Sequence, residues 1–510
     1  MTTFDEFKYE RPDVAAISTA FRALLADFAG AATAERQDEL MAEIAAIRNR
    51  IETMASIVEI RHTCDVEDAF YEKENDFMDE ADPLFEGLKS EFYAALAASP
   101  FKAELARKWG PQLFRLAELQ MKTWKPEIVE DLQAENRLAS EYVKLKASAR
   151  IAFEGQERNL SEMHPFTESP DRGLRRRAQA AISGFYAEHE EEFDRIYDGL
   201  VKVRHRIALK LGFDSFVPLA YARLGRSDYD AAMVGGYRRQ VLASVVPLAG
   251  ALRARQGRRL GLEKLTFCDE ALDFSDGNAA PLGDSSWIVD KGLSMFAEMS
   301  PETGEFFREM TERKLLDLET RKSKAAGGYC SYMPDEGAPF IFANFNGTSD
   351  DVDTFAHEAG HAFQVHSSGH LGLPEYYWPT LEACEIHSMS MEFFAWPWAE
   401  GFFGQGAARY RFRHLSAGIL FVPYGVLVDE FQHWVYEHPD ATPAERKAVW
   451  REKEEIYLPW RDYDGDAFLE RGGYWYRQGH IFEDPFYYID YTLAQMSAYE
   501  FWGKARSDRA

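Results

Sequence analysis

Apolar residues recur at intervals of three and four along most of this chain, with polar residues filling the positions between. The clearest run is QDELMAEIAAIRNRIETMASIVEIRHTC, residues 37–64, where Leu40, Ile44, Ile47, Ile51 and Met54 form one stripe. A helix turning every 3.6 residues puts such positions on a single buried face. The same pattern predicts helix over 84–120, 127–154 and 175–211, the last ending at Gly212. A breaker-rich segment, NLSEMHPFTESPDRG, precedes the last of these. Strand signals are confined to GGYCSYMPDEGAPFIFANFNGT, residues 327–348. They read as two short strands around the turn Pro334-Asp335-Glu336-Gly337, the second covering 340–345. The expected class is mainly α with a small β element.

At 510 residues the chain exceeds the size at which one compact core stops growing, so two or three lobes are expected. No internal repeat or low-complexity linker marks a boundary between them. With 46% hydrophobic and 28% charged residues, large-scale disorder is excluded. A net charge of −27, from 58 basic and 85 acidic residues, excludes a nucleic-acid binder, which needs a basic face. Cys64, Cys268, Cys330 and Cys384 are widely spaced and form no CxxC pair, which fits free thiols in a reducing compartment. The opening MTTFDEFKYERPDV has no apolar core of a secretory signal, and no run of 18 apolar residues exists. A cytoplasmic enzyme or binding protein, not associated with membranes, is expected.

Immediately after the second strand comes TFAHEAGHAFQVHSS, residues 354–368. Asp350, Asp351 and Asp353 suit a helix N-terminus, and Thr348-Ser349-Asp350-Asp351 has the spacing of a capping box. A helix starting near 350 puts His357 and His361 one turn apart on one face, with Glu358 about 100° around the axis. Two imidazoles then hold one Zn²⁺ and the carboxylate beside them takes a proton from its water, which is the arrangement of zinc hydrolysis. By chance, a chain of this composition would contain HExxH on the order of a few hundredths of a time. Gly360, inside that helix, costs roughly 1 kcal/mol against alanine, which a close backbone approach would explain.

A catalytic zinc needs a third protein ligand. The longer HExxHxxGxxH pattern fails, because 364 is Gln and 367 is Ser. His366 and His370 sit too close behind the first helix to fold back over it. The segment PTLEACEIHSMSMEFFAW, residues 379–396, reads as the next helix, opened by Pro379 and Thr380 and closed by Pro397. Glu382, Glu385, Ser388 and Glu392 share one of its faces. Spacing leaves Glu382, Glu385 and His387 as competing ligands.

HEAGH followed by EIHSMSME resembles the thimet oligopeptidase and oligoendopeptidase F family of zinc peptidases. The resemblance selects Glu385, through its E-x-x-S segment, as third ligand, with Glu392 and Ser388 supporting the ligands from behind. GGYC with PFIFANFNGT resembles the family's edge strand, implying that Phe342, Ala343 and Asn344 pair with the backbone of a bound peptide. HIFEDPFYYIDYTLAQ, residues 480–495, is similar to the C-terminal signature. It implies that His480, Tyr488 and Tyr491 stabilise the tetrahedral intermediate and that Tyr487 contacts substrate, the choice among the tyrosines staying open. LGFDSFVPLAYARLGRSDYD, residues 211–230, extends the likeness, which runs from about 155 to 500. It implies a catalytic region over 156–510 after an N-terminal helical region over 1–155. The implied fold is a two-lobed, nearly all-helical clam with one Zn²⁺ at the floor of a deep channel. That shape admits short unfolded peptides.

The implied activity is endopeptidase cleavage with Glu358 as general base. A zinc carboxypeptidase or dipeptidyl carboxypeptidase would use the same ligands but needs a cation for the substrate's free C-terminus, and the motif region offers no obvious one. A peptide-binding protein with a vestigial metal site is the alternative outside enzymes. Cys330 and Cys384 flank the expected site in sequence.

Overall fold

The computed structural model describes residues 2–507. Helices account for 72% of the residues, which settles the class as mainly α. The stripe at residues 40–54 lies in a helix spanning Ala34–Cys64, capped by Thr33, whose side chain accepts the Arg36 N–H. Its two ends serve different cores. Leu40, Met41 and Ile44 pack with the N-terminal helices, whereas Met54, Ile57 and Ile60 pack beneath the sheet.

Two large cores form the two lobes. One gathers the helices Val129–Ala147, Glu190–Leu211 and Pro443–Tyr457 around Phe193, Trp450 and Trp475. The other gathers Ser285–Met299, Pro301–Glu312, the sheet and the helix Asp350–Ser368 around Phe307, Phe342 and Phe355. The long helix Ala407–Glu437 bridges them, with Ala407 and Tyr410 in the second core and Val422 through Tyr436 in the first. N-terminal residues contribute to all of these cores, so the lobes are interleaved along the chain: Tyr142 lies in the first and Phe4 in the second.

The stretch 84–120 holds the end of the helix Ala69–Ala97 and two further helices, Lys102–Trp109 and Gln112–Gln120. Three other local expectations change. Residues 151–158 are a two-stranded hairpin, β1 (Ile151–Phe153) and β2 (Gln156–Arg158), instead of the end of a helix. Glu154 and Gly155 both adopt positive φ, 47° and 76°, as the tight turn between twisted strands requires. The stretch 175–211 is two helices, Arg172–Glu188 and Glu190–Leu211, broken at His189, and Gly212 closes the second at φ 90°. The third change bears on the site. A further strand, β3 (Leu316–Glu319), pairs in parallel with β5 (Ala338–Phe345), whose other side pairs antiparallel with β4 (Tyr329–Met333). The order β3-β5-β4 makes β5 the central strand. Among the described residues, no helix is long and apolar enough to cross a membrane, and all four cysteines are free.

Candidate active site

The strand β5 leads through Asn346 and Gly347, at φ 91°, straight into the helix Asp350–Ser368, so the sheet fixes where that helix starts. Thr348 does not close the expected capping box. The Asp351 carboxylate instead accepts the backbone N–H groups of Asn346 at 2.9 Å and Gly347 at 2.8 Å, tying the helix to the preceding loop. On the next helix, Leu381–Phe394, Ser388 approaches the backbone of Gly360. A methyl group on Gly360 would lie 2.8 Å from Ser388 Cα and 3.0 Å from the His387 carbonyl oxygen. The glycine is what lets the two helices touch.

That contact brings Glu385 to the histidines. Its Oε2 lies 3.2 Å from His357 Nε2 and 3.3 Å from His361 Nε2. Among the described residues, His357, His361 and Glu385 are the one group of three whose ligand atoms converge, all within 4.8 Å of one another. Of the three candidates that spacing left open, Glu385 is the one that converges with the two histidines. Glu382 instead accepts a 2.6 Å hydrogen bond from the Thr380 hydroxyl, and His387 is exposed on another face of the helix.

A second layer fixes these groups. Glu392 Oε1 accepts from His357 Nδ1–H at 2.7 Å, which turns Nε2 towards Glu385 and makes it the nitrogen a metal would take. The other oxygen of Glu392 accepts from His414 Nε2 at 2.7 Å, and Trp396 Nε1 donates to His414 Nδ1 at 3.1 Å. Because the indole only donates, it sets the tautomer of His414. Glu385 is held at both oxygens, by the Ser388 hydroxyl at 2.9 Å on Oε2 and by the Tyr487 hydroxyl on Oε1. Burial opposes charge on His357 and Glu385 alike, but the attraction of His361 and His357 for Glu385, and of Glu385 and Glu392 for His357, dominates. It holds the imidazole well above its usual range and the carboxyl well below.

The residues fit a zinc ion. Two neutral nitrogens and one carboxylate oxygen, spaced at 3.2 and 3.3 Å, match the edges of a tetrahedron with arms of about 2.1 Å. Beside them, Glu358 is 6% exposed and its Oε2 is buried without a hydrogen-bond partner. Burial pushes its carboxyl up, and the two imidazoles only partly offset this. An acid in this setting is suited to accept a proton from a water between it and the metal ligands.

The opposite wall comes from the C-terminal segment. Tyr424 donates to Gln478 Oε1 at 3.0 Å, so Gln478 Nε2 faces His480 Nδ1 at 2.9 Å and donates to it. His480 then carries its proton on Nε2 and donates to Tyr491 Oη at 3.1 Å. The Tyr491 hydroxyl proton is free for another acceptor. Tyr491 feels the charges of Glu385 and Glu358, whereas Tyr488 packs towards Phe421 and Tyr424. The structure thus separates the three tyrosines: Tyr491 faces the metal ligands, Tyr487 holds Glu385, and Tyr488 lies one layer back.

The expected peptide-pairing strand is corrected. Phe342 and Ala343 are 1% and 0% exposed in the central strand, and the Asn344 side chain donates to Ala325 and Gly327 carbonyls. The sequence reading counted two strands and so left β5 with a free side that β3 occupies. The free edge is β4. Pro339 has no N–H for its partner Tyr332, and Ile341 donates to Leu315, so Cys330 opposite Ile341 turns its N–H and C=O away from β5. Gly328 precedes that edge, and a Cβ on it would lie 3.5 Å from Glu358 Oε1. Between the lobes, a cleft of about 680 Å³ runs past Gly328 and Thr354 on one wall and Tyr424 and Gln478 on the other.

His414, Trp396, Tyr424 and Gln478 escaped the sequence reading. Trp396, His414 and Tyr424 reach their partners across 18, 22 and 54 residues, whereas Gln478 stands two residues before His480 and carries no motif of its own.

Comparison with known proteins agrees with this geometry. A family model described as the peptidase M3 N-terminal domain matches residues 4–124, and peptidase family M3 matches residues 298–510. No curated protein matches. Among solved structures, one of a putative oligoendopeptidase F is 59% identical with a TM-score of 0.99, covering 100% of this chain and 90% of its own. PZ peptidase A, solved with an inhibitor, is 57% identical with a TM-score of 0.99, covering 99% and 90%. A putative oligoendopeptidase F from Bacillus anthracis str. Ames is 50% identical with a TM-score of 0.94, covering 100% and 89%. The N-terminal match extends the likeness into helices that looked merely helical in sequence. Relatives of this identity over nearly their whole length leave one assignment: the chain belongs to peptidase family M3 and is a metalloendopeptidase.

Proposed function

We propose that the chain is a zinc-dependent oligoendopeptidase that cuts internal bonds of short unfolded peptides. One Zn²⁺ per chain would be held by His357, His361 and Glu385. When bound, it supplies Lewis acidity, lowering the pKa of a coordinated water towards about 7 and polarising the scissile carbonyl. Glu358 takes the proton of the attacking water and passes it to the leaving amine. The free proton of Tyr491 hydrogen-bonds to the carbonyl oxygen as it gains charge, with His480 fixing the phenol's orientation. Tyr487 and Glu392 hold ligands rather than substrate. The exposed edge at Gly328 and Cys330 binds peptide main chain in extended form, so sequence matters little and foldedness matters greatly. Four unpaired thiols suit a cytoplasmic setting.

The observation that carries this reading is the partnerless Oε2 of Glu358 beside three convergent ligand atoms. Glu358→Gln tests it: the variant is expected to bind zinc normally and to turn over an internally quenched peptide at least about 10²-fold more slowly. Turnover near that of the parent protein would remove Glu358 from the mechanism.

A further inference from the structure

The cleft holds five arginine and lysine side chains with very different surroundings. Arg253 and Arg461 share Glu270 at 3.1 and 2.8 Å, and Arg413 binds Glu168 at 2.5 Å and Asp273 at 3.2 Å. Lys146 and Arg477 line the same cleft, and among the described residues neither makes an ion pair with a carboxylate. In a chain with 85 acidic residues against 58 basic ones, that is unexpected. The Lys146 ammonium donates to the backbone oxygen of Arg477 at 3.3 Å; the Glu483 carboxyl lies near it without closing an ion pair, and the Arg477 charge opposes its own. The Arg477 guanidinium stacks on Tyr474, 4.3 Å from the ring centre, with Phe267 and Tyr186 flanking it. Its Nε and Nη2 are buried without acceptors, which leaves Nη1 towards the cleft.

Two adjacent like charges in a partly dehydrated cleft repel each other and have lost hydration, and a bound anion relieves both penalties. The aromatic faces hold the guanidinium plane in place without neutralising it. One guanidinium nitrogen, Nη1, next to the Lys146 ammonium can share a single carboxylate between them. The neighbourhood places this anion within reach of the chemistry. Arg477 directly precedes Gln478, whose amide holds His480, and the other wall of the cleft begins at Gly328 beside Glu358.

We propose that Lys146 and Arg477 form an anion subsite of the peptide cleft that takes a substrate carboxylate, either the C-terminus or an Asp or Glu side chain. This rests on the peptidase reading above. An extended peptide advances about 3.3 Å per residue, so the subsite selects for an acidic group at a set number of residues from the cut bond.

The test uses the zinc-loaded full chain and internally quenched peptides of one sequence, made with a free or an amidated C-terminus and with Asp or Asn scanned through each position. Charge-assisted hydrogen bonds set the expected size. The parent enzyme should prefer one carboxylate-bearing peptide over its amide by about ten- to a hundredfold in kcat/KM, less as salt is raised. Arg477→Gln, and separately Lys146→Met, should bring that ratio close to one, with zinc content and the thermal transition showing that each variant is folded. Loss of the preference on C-terminal amidation assigns the subsite to the C-terminus. An effect of Asp→Asn at one position assigns it to a side chain. Equal rates for every acid–amide pair in the parent enzyme, or a preference undiminished in both variants, overturns the proposal. Absence of cleavage of all peptides would instead overturn the oligoendopeptidase reading.

Discussion

Replacing Gly360 with alanine separates two roles that a helix glycine combines. On propensity alone the change stabilises the helix by roughly 1 kcal/mol. The structure opposes it. The new methyl would sit 2.8 Å from Ser388 Cα, 3.0 Å from the His387 oxygen and 3.0 Å from Met391 Cβ. Two of these atoms are backbone and the third is a Cβ, so no rotamer change relieves them. The helices must part by about 0.6 Å, the gap between 2.8 Å and an ordinary 3.4 Å contact. Overpacking of this kind costs about 1–3 kcal/mol, so the metal-free protein should be destabilised by about 0–2 kcal/mol. The same displacement carries Glu385, one turn before Ser388, away from His357 and His361. Zinc affinity should then fall about 10–100-fold, the usual cost of loosening a ligand's support. Competition with a chelator of known affinity measures that fall. Thermal unfolding with and without zinc shows whether the metal-dependent increment shrinks to match. Unchanged zinc affinity together with a gain of about 1 kcal/mol in the metal-free protein would refute the packing argument.

Glu392→Ala removes the acceptor shared by His357 and His414 and should weaken zinc binding by about 10–100-fold, read in the same competition titration. Gln478→Leu removes the donor that sets His480's tautomer. It should lower kcat by about tenfold or more with little change in KM, and in a Tyr491→Phe background it should have almost no further effect, since both act through one phenol. Exhaustive chelation should abolish peptide cleavage, and stoichiometric zinc should restore it.

How much of this was legible in sequence depended on whether the decisive contact was local. His357, Glu358 and His361 were legible because four-residue spacing within one helix fixes their geometry. Glu385 was not separable from Glu382 or His387 by spacing, because the Gly360–Ser388 packing between helices determines which residue faces His357 and His361; resemblance supplied the choice. Phe342, Ala343 and Asn344 were misplaced because β3, Leu316-Asp317-Leu318-Glu319, alternates for only four residues and joins β5 in parallel, with no hairpin turn to announce the pairing. The hairpin at 151–158 was hidden in the same way, its three-residue strands reading as the tail of a helix. The supporting contacts of His414 and Trp396 lie far along the chain from the groups they orient, so only the folded structure reveals them.

The central claim is that two imidazoles from one helical turn and a carboxylate from its neighbour hold a single catalytic metal ion. Diffraction data collected at the zinc absorption edge from zinc-loaded crystals test it most directly. The account predicts one anomalous peak per chain at bonding distance, about 2.0–2.2 Å, from His357 Nε2, His361 Nε2 and a Glu385 oxygen. A peak elsewhere, or a peak of equal height there in crystals of the Glu385→Ala protein, would contradict it.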